Sequence, residues 1–287
     1  MSARRFSLGA IALDMQDLSL EDIFRTTADW GLEHVDLYYK VNYFDFSVAQ
    51  IKRLQSAYGV RVHSVSTRGM PLSHTLDANE QLEIVFQALE QAAELGAGYS
   101  ESMAGPAKLD TDAAIDRYVE LVAPIVRRAE ELGVTLLVEN VFNRDDAKDP
   151  TASVDGTRKL LERVGSENYA LCWDIANFAV NGESTYPRPY ETLKPWIKYV
   201  HLKDTVPQGS CDLSYQERKR VMVDPERGAF VSVPLGMGMV DVKGIVERLI
   251  ADGFEHPVTV ELFCGDQNRE DYWRPTETWL RSTGLLA

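Results

Sequence analysis

Short apolar runs rich in β-branched and aromatic residues alternate along the chain with longer segments whose apolar residues recur every three to four positions. The first pattern suits a pleated strand and the second suits one face of a helix. Strands are predicted at 6–12, 34–38, 60–66, 98–103, 134–140, 169–174, 197–203 and 257–262. Between them the periodicity predicts helices at 19–30, 78–95, 111–132, 153–164 and 241–251. The first opens on Ser19-x-x-Asp22, the order of a capping box, and all five stop at or close to a glycine. Parallel strands need crossover connections, which such helices supply. Eight strands joined in this way close a barrel, so the expected class is α/β, a single (β/α)8 TIM barrel over residues 1–287. A doubly wound open sheet, the alternative, leaves unexplained why polar residues sit at the C-terminal ends of so many strands.

The connections 141–152 and 204–239 are longer than the rest. Loops beyond roughly 12–15 residues in a compact domain are commonly functional. The second has the pattern of a helical turn at 215–221 and is read as a long active-site loop, a lid over the barrel mouth.

Composition adds limits. The length of 287 residues passes the usual single-domain size, but barrels of this kind run to about 250 residues as one unit. A 45% hydrophobic share is ample for that core. No stretch approaches the ~18 uninterrupted apolar residues of a membrane helix, so no membrane partner is expected. Arg4, Arg5 and the apolar run behind them superficially suit a signal peptide. That run breaks at Asp14 without a small-residue cleavage site, which favours a first strand. Cys172, Cys211 and Cys264 are odd in number and widely spaced, the usage of free thiols in a reducing compartment. A cytoplasmic protein is therefore expected. The formal charge of −14 disfavours a nucleic-acid partner, because that affinity comes largely from Lys and Arg neutralising phosphates.

Four strands end in residues able to bind a metal: Glu139 in LLVEN, Asp174 in LCWD, His201 in YVHLKD and Glu261 in VTVELF. Barrel active sites form at the C-terminal strand ends, so these side chains converge on one point. A carboxylate buried among Val and Leu is costly unless a cation or a paired group accompanies it. Each alone also reads as a helix cap, an ion-pair member or, for His201, a hydrogen-bonded core residue. All four at the same end of four strands point to one divalent-metal site. Three carboxylates and an imidazole without a thiolate suit Mn²⁺, Mg²⁺, Co²⁺ or Zn²⁺.

The residues Val138-Glu139-Asn140, Trp173-Asp174 with Asn177, His201-Leu202-Lys203-Asp204, the segment PLGMGMVD at 234–241 and Val260-Glu261 carry a family resemblance. On them the chain resembles the sugar phosphate isomerase/epimerase superfamily, the xylose-isomerase-like barrels, over essentially its whole length. The resemblance implies one catalytic divalent ion, Mn²⁺ foremost, held by Glu139, Asp174, His201 and Glu261. It also implies that Glu139 and Glu261 form an acid/base pair. One removes a proton next to a carbonyl, giving an enediolate, and the other returns a proton on the opposite face.

The chain departs from the family pattern in two places. Members often read Asp-x-x-His after the sixth strand, whereas this chain has Asp174-Ile175-Ala176-Asn177. Asn177 can hydrogen-bond a substrate but carries no proton at neutral pH. Met237 stands between Gly236 and Gly238, where Glu is commoner. That Gly-x-Gly is not a dinucleotide fingerprint, since no strand directly precedes it and the third glycine is missing. It reads as a tight approach to the mouth, with Asp241 as a helix cap.

Lys203, two residues past His201, is expected on the same face as His201 and is a catalytic candidate. It can donate to a substrate oxygen or help expel a hydroxyl; the other reading is an ion pair with Asp204 or Glu261. His63, Glu101 and Arg144 are candidate substrate contacts beside Asn177, with Arg68 a weaker one. His63 and Glu101 also read as satisfied polar groups near the core.

The leading expectation is a metal-dependent isomerase or epimerase of a small, sugar-like molecule. The alternative is a metal-dependent lyase or dehydratase, eliminating β to the carbonyl of a keto-sugar, keto-glycoside or keto-cyclitol. A DNA-repair endonuclease on this barrel needs a histidine-rich zinc cluster and a basic face, which five histidines and a charge of −14 do not supply. A non-catalytic subunit predicts a broken metal set, and the set is intact. Assembly as a homo-oligomer or in a hetero-complex is compatible with the sequence.

Overall fold

The computed structural model describes residues 6–39, 47–143, 147–211, 220–264 and 269–286. Its first half runs β1 (Leu8–Ile11), α1 (Leu20–Asp29), β2 (His34–Tyr39), α2 (Val48–Tyr58), β3 (Arg61–Thr67), α3 (Ala78–Leu95), β4 (Tyr99–Ser102) and α4 (Thr111–Leu132). Next come β5 (Thr135–Glu139), α5 (Val154–Val164), β6 (Tyr169–Asp174), α6 (Asn177–Val180), α7 (Arg188–Leu193) and β7 (Ile197–Leu202). The chain continues through β8 (Asp204–Pro207), β9 (Val221–Asp224), β10 (Gly228–Val233), α8 (Val242–Ala251), β11 (Val258–Val260) and α9 (Arg269–Ser282).

Eight of these strands close into a parallel barrel in the order β1-β11-β7-β6-β5-β4-β3-β2. The predicted strands match within two residues at each end, and α3 and α4 match throughout. Local chemistry explains the agreement. Ser19 accepts from the backbone N–H of Asp22 at the start of α1, and Gly96, Gly133 and Gly165 end their helices in the left-handed region. No described helix is long and apolar enough to cross a membrane.

The 204–239 connection departs from expectation. It carries an antiparallel sheet in the order β8-β10-β9, and Val221 opens a strand where a helical turn was expected to end. The rest of that expected turn lies largely outside the described residues.

Inside the barrel, side chains from non-adjacent strands meet in a polar layer. Tyr199 Oη donates to Asp36 Oδ1 at 2.5 Å, Thr259 Oγ1 donates to Asp36 Oδ2 at 2.7 Å, and His34 Nε2 lies 3.0 Å from Thr259 Oγ1. Gly9 makes room for this layer, since a Cβ there would lie 2.2 Å from the His34 ring. Burial lifts the Asp36 carboxyl from 3.8 to about 6, against the opposing pull of His201 and the two hydroxyls. A raised carboxyl stabilises the fold fully below its unfolded value and loses that contribution as pH rises through about 6. The shift of about two units corresponds to something on the order of 3 kcal/mol. Asp36→Asn, which cannot ionise, is therefore expected to gain on the wild type by up to that amount between about pH 4 and pH 8. Urea denaturation across the series measures it, and a gap that stays flat with pH counts against the buried acid.

Candidate metal centre and active site

Glu139 and Asp174 are the last residues of β5 and β6, His201 is the penultimate residue of β7, and Glu261 directly follows β11. These four strands are neighbours in the barrel, and Asp174 pairs in register with His201. Their ligand atoms all lie within 4.8 Å of one another. His201 Nδ1 is 3.4 Å from Glu139 Oε1 and 3.5 Å from Glu261 Oε2. All four residues are buried. The structure thus brings the predicted set together.

Lys203 lies among them, with Nζ 2.5 Å from Asp174 Oδ2 and 3.3 Å from Glu261 Oε2. Burial disfavours its charge, but Asp174 and Glu261 outweigh burial and hold its pKa above the usual lysine value. Of the two ion pairs considered from sequence, Glu261 is found, while Asp204 points elsewhere. Three carboxylates with one ammonium leave a formal charge of −2, which one divalent ion balances. The donor set therefore fits such an ion: carboxylate oxygens and one imidazole nitrogen, with no thiolate in the group of four.

The surrounding backbone is held by side chains to which the sequence reading gave no such role. Asn140 extends the β5–β6 ladder: its Nδ2 donates to Asp174 O and its Oδ1 accepts from Asp174 N, both at 2.9 Å. Asp174 Oδ1 accepts from the N–H groups of Ala176 and Asn177. The turn after Glu261 is shaped by Asp14, which accepts from the N–H groups of Leu262, Phe263 and Cys264. Phe263 is the one described non-glycine residue at positive φ, 47°. Asp14 was noted only as the residue breaking an apolar run; a carboxylate at a strand end was itself the signal. Burial pushes its carboxyl up to about 7, although Arg220 Nη1 lies 3.2 Å away.

The Gly-x-Gly approach is real, but its target is Asp204. That carboxylate accepts from the N–H groups of Thr205, Gly236, Gly238 and Val240. A Cβ on Gly238 would fall 2.0 Å from Asp204 Oδ1. Asp241 caps α8 as expected, accepting from Gly244 N–H.

The remaining candidates scatter. Asn177 is buried beside Asp174, donates to Asn140 O at 2.8 Å, and keeps Oδ1 without a hydrogen bond among the described residues. Glu101 is fully buried on β4, with Oε2 3.4 Å from His201 Nε2, and reaches the cluster through that ring. His63 is not brought to it. It is the third residue of β3, near the strand's N-terminal end, with its ring 4.5 Å from that of His34. Burial pushes its pKa down to about 4, so it is neutral. Arg68 is exposed in the loop after β3, and Arg144 lies outside the described residues.

An apolar cluster of Phe142, Val180, Met222, Phe230 and Phe263 joins β9 and β10 to the segments following Glu139 and Glu261. The Phe263 ring has Lys203 Nζ at 4.9 Å and the Arg220 guanidinium at 5.6 Å from its centroid. The small sheet therefore packs beside the four-residue group.

Comparison with known proteins agrees with this geometry. Among solved structures, the chain is similar to the probable 3-DHS dehydratase AsbF of Bacillus anthracis, which is involved in petrobactin synthesis. That match has 17% identity and a TM-score of 0.73, covering 96% of this chain and 98% of that one. It is likewise similar to the D-allulose 3-epimerase of Methylomonas sp., at 16% identity and TM-score 0.73, covering 98% and 99%. The IOLI protein, solved with a bound zinc atom, matches at 16% identity and TM-score 0.71, covering 98% and 97%. At these identities the likeness is one of fold. A search of curated protein sequences finds no match. The family model described as xylose isomerase-like TIM barrel matches residues 24–283, which takes in every strand of the barrel except β1 and all four clustered ligands. With the barrel closed as that description requires, the chain belongs to the xylose isomerase-like TIM barrel family.

Proposed function

We propose that this protein is a divalent-metal-dependent isomerase or epimerase that moves a proton on the carbon next to the carbonyl of a sugar-like substrate. The observation that carries the reading is the pair Glu139 and Glu261. They approach the same imidazole edge, 3.4 and 3.5 Å from His201 Nδ1, from strands on either side of β6 and β7. A divalent ion held by Glu139, Asp174, His201 and Glu261 supplies Lewis acidity toward a carbonyl oxygen, which acidifies the neighbouring C–H. Mn²⁺ is the ion we favour for this oxygen-rich set, with Mg²⁺, Co²⁺ and Zn²⁺ as competitors.

Each glutamate has one oxygen for the ion and one for a proton. One glutamate, ionised, takes the proton from one face of the substrate; the other, having taken a proton from solvent, delivers it to the opposite face, and the first then releases its proton to solvent, so the formula is unchanged. Lys203 stays an ammonium in this setting, so it cannot serve as the base. It keeps Asp174 and Glu261 in place and donates to a substrate oxygen. The segment 204–239 forms the lid of a single catalytic unit, and its sheet against Phe142 and Phe263 supports that role. The described cysteines are all free, in keeping with a cytoplasmic location.

A lyase is the second reading, favoured by the buried Lys203 ammonium beside Glu261. There the same proton is removed and a hydroxyl β to the carbonyl departs with a proton as water. The neighbours carry both chemistries in their names, an epimerase of D-allulose and a probable dehydratase.

Incubation with a panel of ketohexoses, keto-glycosides and keto-cyclitols in D₂O with Mn²⁺ tests both. Deuterium is expected at the carbon next to the carbonyl of at least one compound, with its epimer or isomer as product. A product short of one water selects the lyase. No exchange into any compound with any of the four ions would overturn the assignment.

A further inference from the structure

The nitrogen of His201 that faces away from the other three ligands is the informative atom. Nδ1 lies toward Glu139 and Glu261; Nε2, on the other edge of the ring, is buried without a hydrogen bond among the described residues, and Glu101 Oε2 is 3.4 Å away. Both His201 and Glu101 have no exposed surface. A neutral imidazole carries one proton, so a ring that gives the Nδ1 lone pair to an ion carries its proton on Nε2. A buried N–H needs an acceptor, and a carboxyl oxygen at this reach can supply one.

We propose that Glu101 is the positioning residue of the metal centre, its carboxylate accepting the Nε2 proton of His201 and so fixing the tautomer and ring angle that aim Nδ1 at the ion. This rests on the metal-dependent reading above and adds to it a residue that touches neither ion nor substrate.

Glu101 is itself held in place. Ser66 Oγ donates to the same Oε2 at 3.3 Å, and Ser64 Oγ lies 3.0 Å from Ser66 Oγ. Ser66 and Glu101 are register partners across β3 and β4, so the backbone sets their spacing. A line of polar groups thus runs from β3 through β4 to the β7 ligand. Cys172 is the other side chain near this edge; it comes within 4.8 Å of the ligand atoms of Glu101 and His201. A thiol sulfur is a weak acceptor and a poorer partner for a ring N–H than a carboxyl oxygen. Carboxylates behind metal-bound imidazoles generally orient the ring and raise its basicity, and losing one weakens metal affinity by about 10- to 100-fold.

The test is Mn²⁺ titration of chelator-stripped wild type, Glu101→Gln and Glu101→Leu, followed by calorimetry and by the paramagnetic resonance of free Mn²⁺. The ¹⁵N spectrum of the Zn²⁺-loaded proteins reports the His201 tautomer. Wild type is expected to bind one ion per chain with His201 protonated on Nε2 alone. Glu101→Leu should bind about 10- to 100-fold more weakly with mixed tautomers. Glu101→Gln, which keeps a neutral acceptor oxygen at the same reach, should fall several-fold below wild type. Unchanged affinity and an unchanged tautomer in the variants overturn the positioning role and leave the metal site standing. If Glu101→Leu does not fold, the same outcome in Glu101→Gln decides. Two ions per wild-type chain, the second on Glu101, Cys172 and His201, also overturn the role, because a carboxylate ligated there cannot accept the proton. Wild type that takes up none of Mn²⁺, Co²⁺, Mg²⁺ or Zn²⁺ overturns the metal reading itself, and this inference with it.

Discussion

Glu261→Gln is expected to lower turnover by about 10²- to 10⁴-fold, the usual worth of a positioned acid or base. The substitution keeps the shape of the side chain and an oxygen that can still face the ion. It removes the only thing that a glutamine cannot do, which is to take and return a proton at neutral pH. It also deprives Lys203 of one of its two carboxylate partners, now 3.3 Å away, leaving Asp174 alone to balance a fully buried ammonium. The informative comparison is with Glu139→Gln. If the two carboxylates work opposite faces, each variant should still exchange a proton on one face while neither completes the conversion. Solvent deuterium incorporation, scored by position and face, reads this directly. A Glu261→Gln enzyme with a tenth or more of wild-type kcat would remove Glu261 from the proton chemistry.

The second large effect concerns the ion. Three carboxylates and one ammonium crowd into a buried space where the ligand atoms are all within 4.8 Å, and without an ion only Lys203 and the His201 ring face the carboxylates among the described residues. Stripping the protein with a chelator is expected to abolish turnover and to lower its melting temperature. Ligand linkage gives the scale: an ion at 100 times its Kd stabilises the fold by about 2.7 kcal/mol. At about 2.1 cal/mol/K of unfolding entropy per residue, that raises the melting temperature of a chain of this size by roughly 4–5 °C. Thermal unfolding with and without chelator, then with each divalent ion restored, measures it and ranks the ions. Equal melting temperatures throughout would mean that the acidic cluster holds no cation.

The barrel and the four clustered side chains were legible in the sequence because both depend on short-range signals. Period-two apolar runs, capping serines and aspartates, and terminal glycines act within a few residues. A titratable residue at a strand end needs only the strand to be recognised. What escaped depends on contacts distant in sequence. Asp14 supports the turn after Glu261 from the other end of the chain. Asp204 gathers three N–H groups from 236–240, a link that an alternation pattern does not carry. His63 was placed on the correct strand but at the wrong end of it, since the period of a strand reports which face a residue takes and not its height. α2 was overlooked although Ser47 accepts from Gln50 N–H and Gly59 ends it in the left-handed region, signals as good as those of the helices predicted. α9 (Arg269–Ser282) was overlooked as well, although Pro275 within it is no more disruptive than Pro124 within the predicted α4.

The sheet β8-β10-β9 is held to the loop 236–240 by Asp204, and to the rest of the chain by Tyr272, which donates to Ser232 O, and by Arg220, which donates to Asp14 and to Leu13 O. The barrel strands that present Glu139, Asp174, His201 and Glu261 donate no hydrogen bond to it through those side chains. The two parts meet through the apolar cluster around Phe142 and Phe263 and through the Arg220–Asp14 pair, so a change in the sheet spares the ligands only where it keeps those contacts. Lengthening or exchanging the β9–β10 turn at 224–228 reshapes the tip of that sheet and leaves those contacts in place. In a lineage under pressure to accept new ligands, that turn is where insertions should accumulate, and in the laboratory it is the natural crossover point for building chimaeras between relatives.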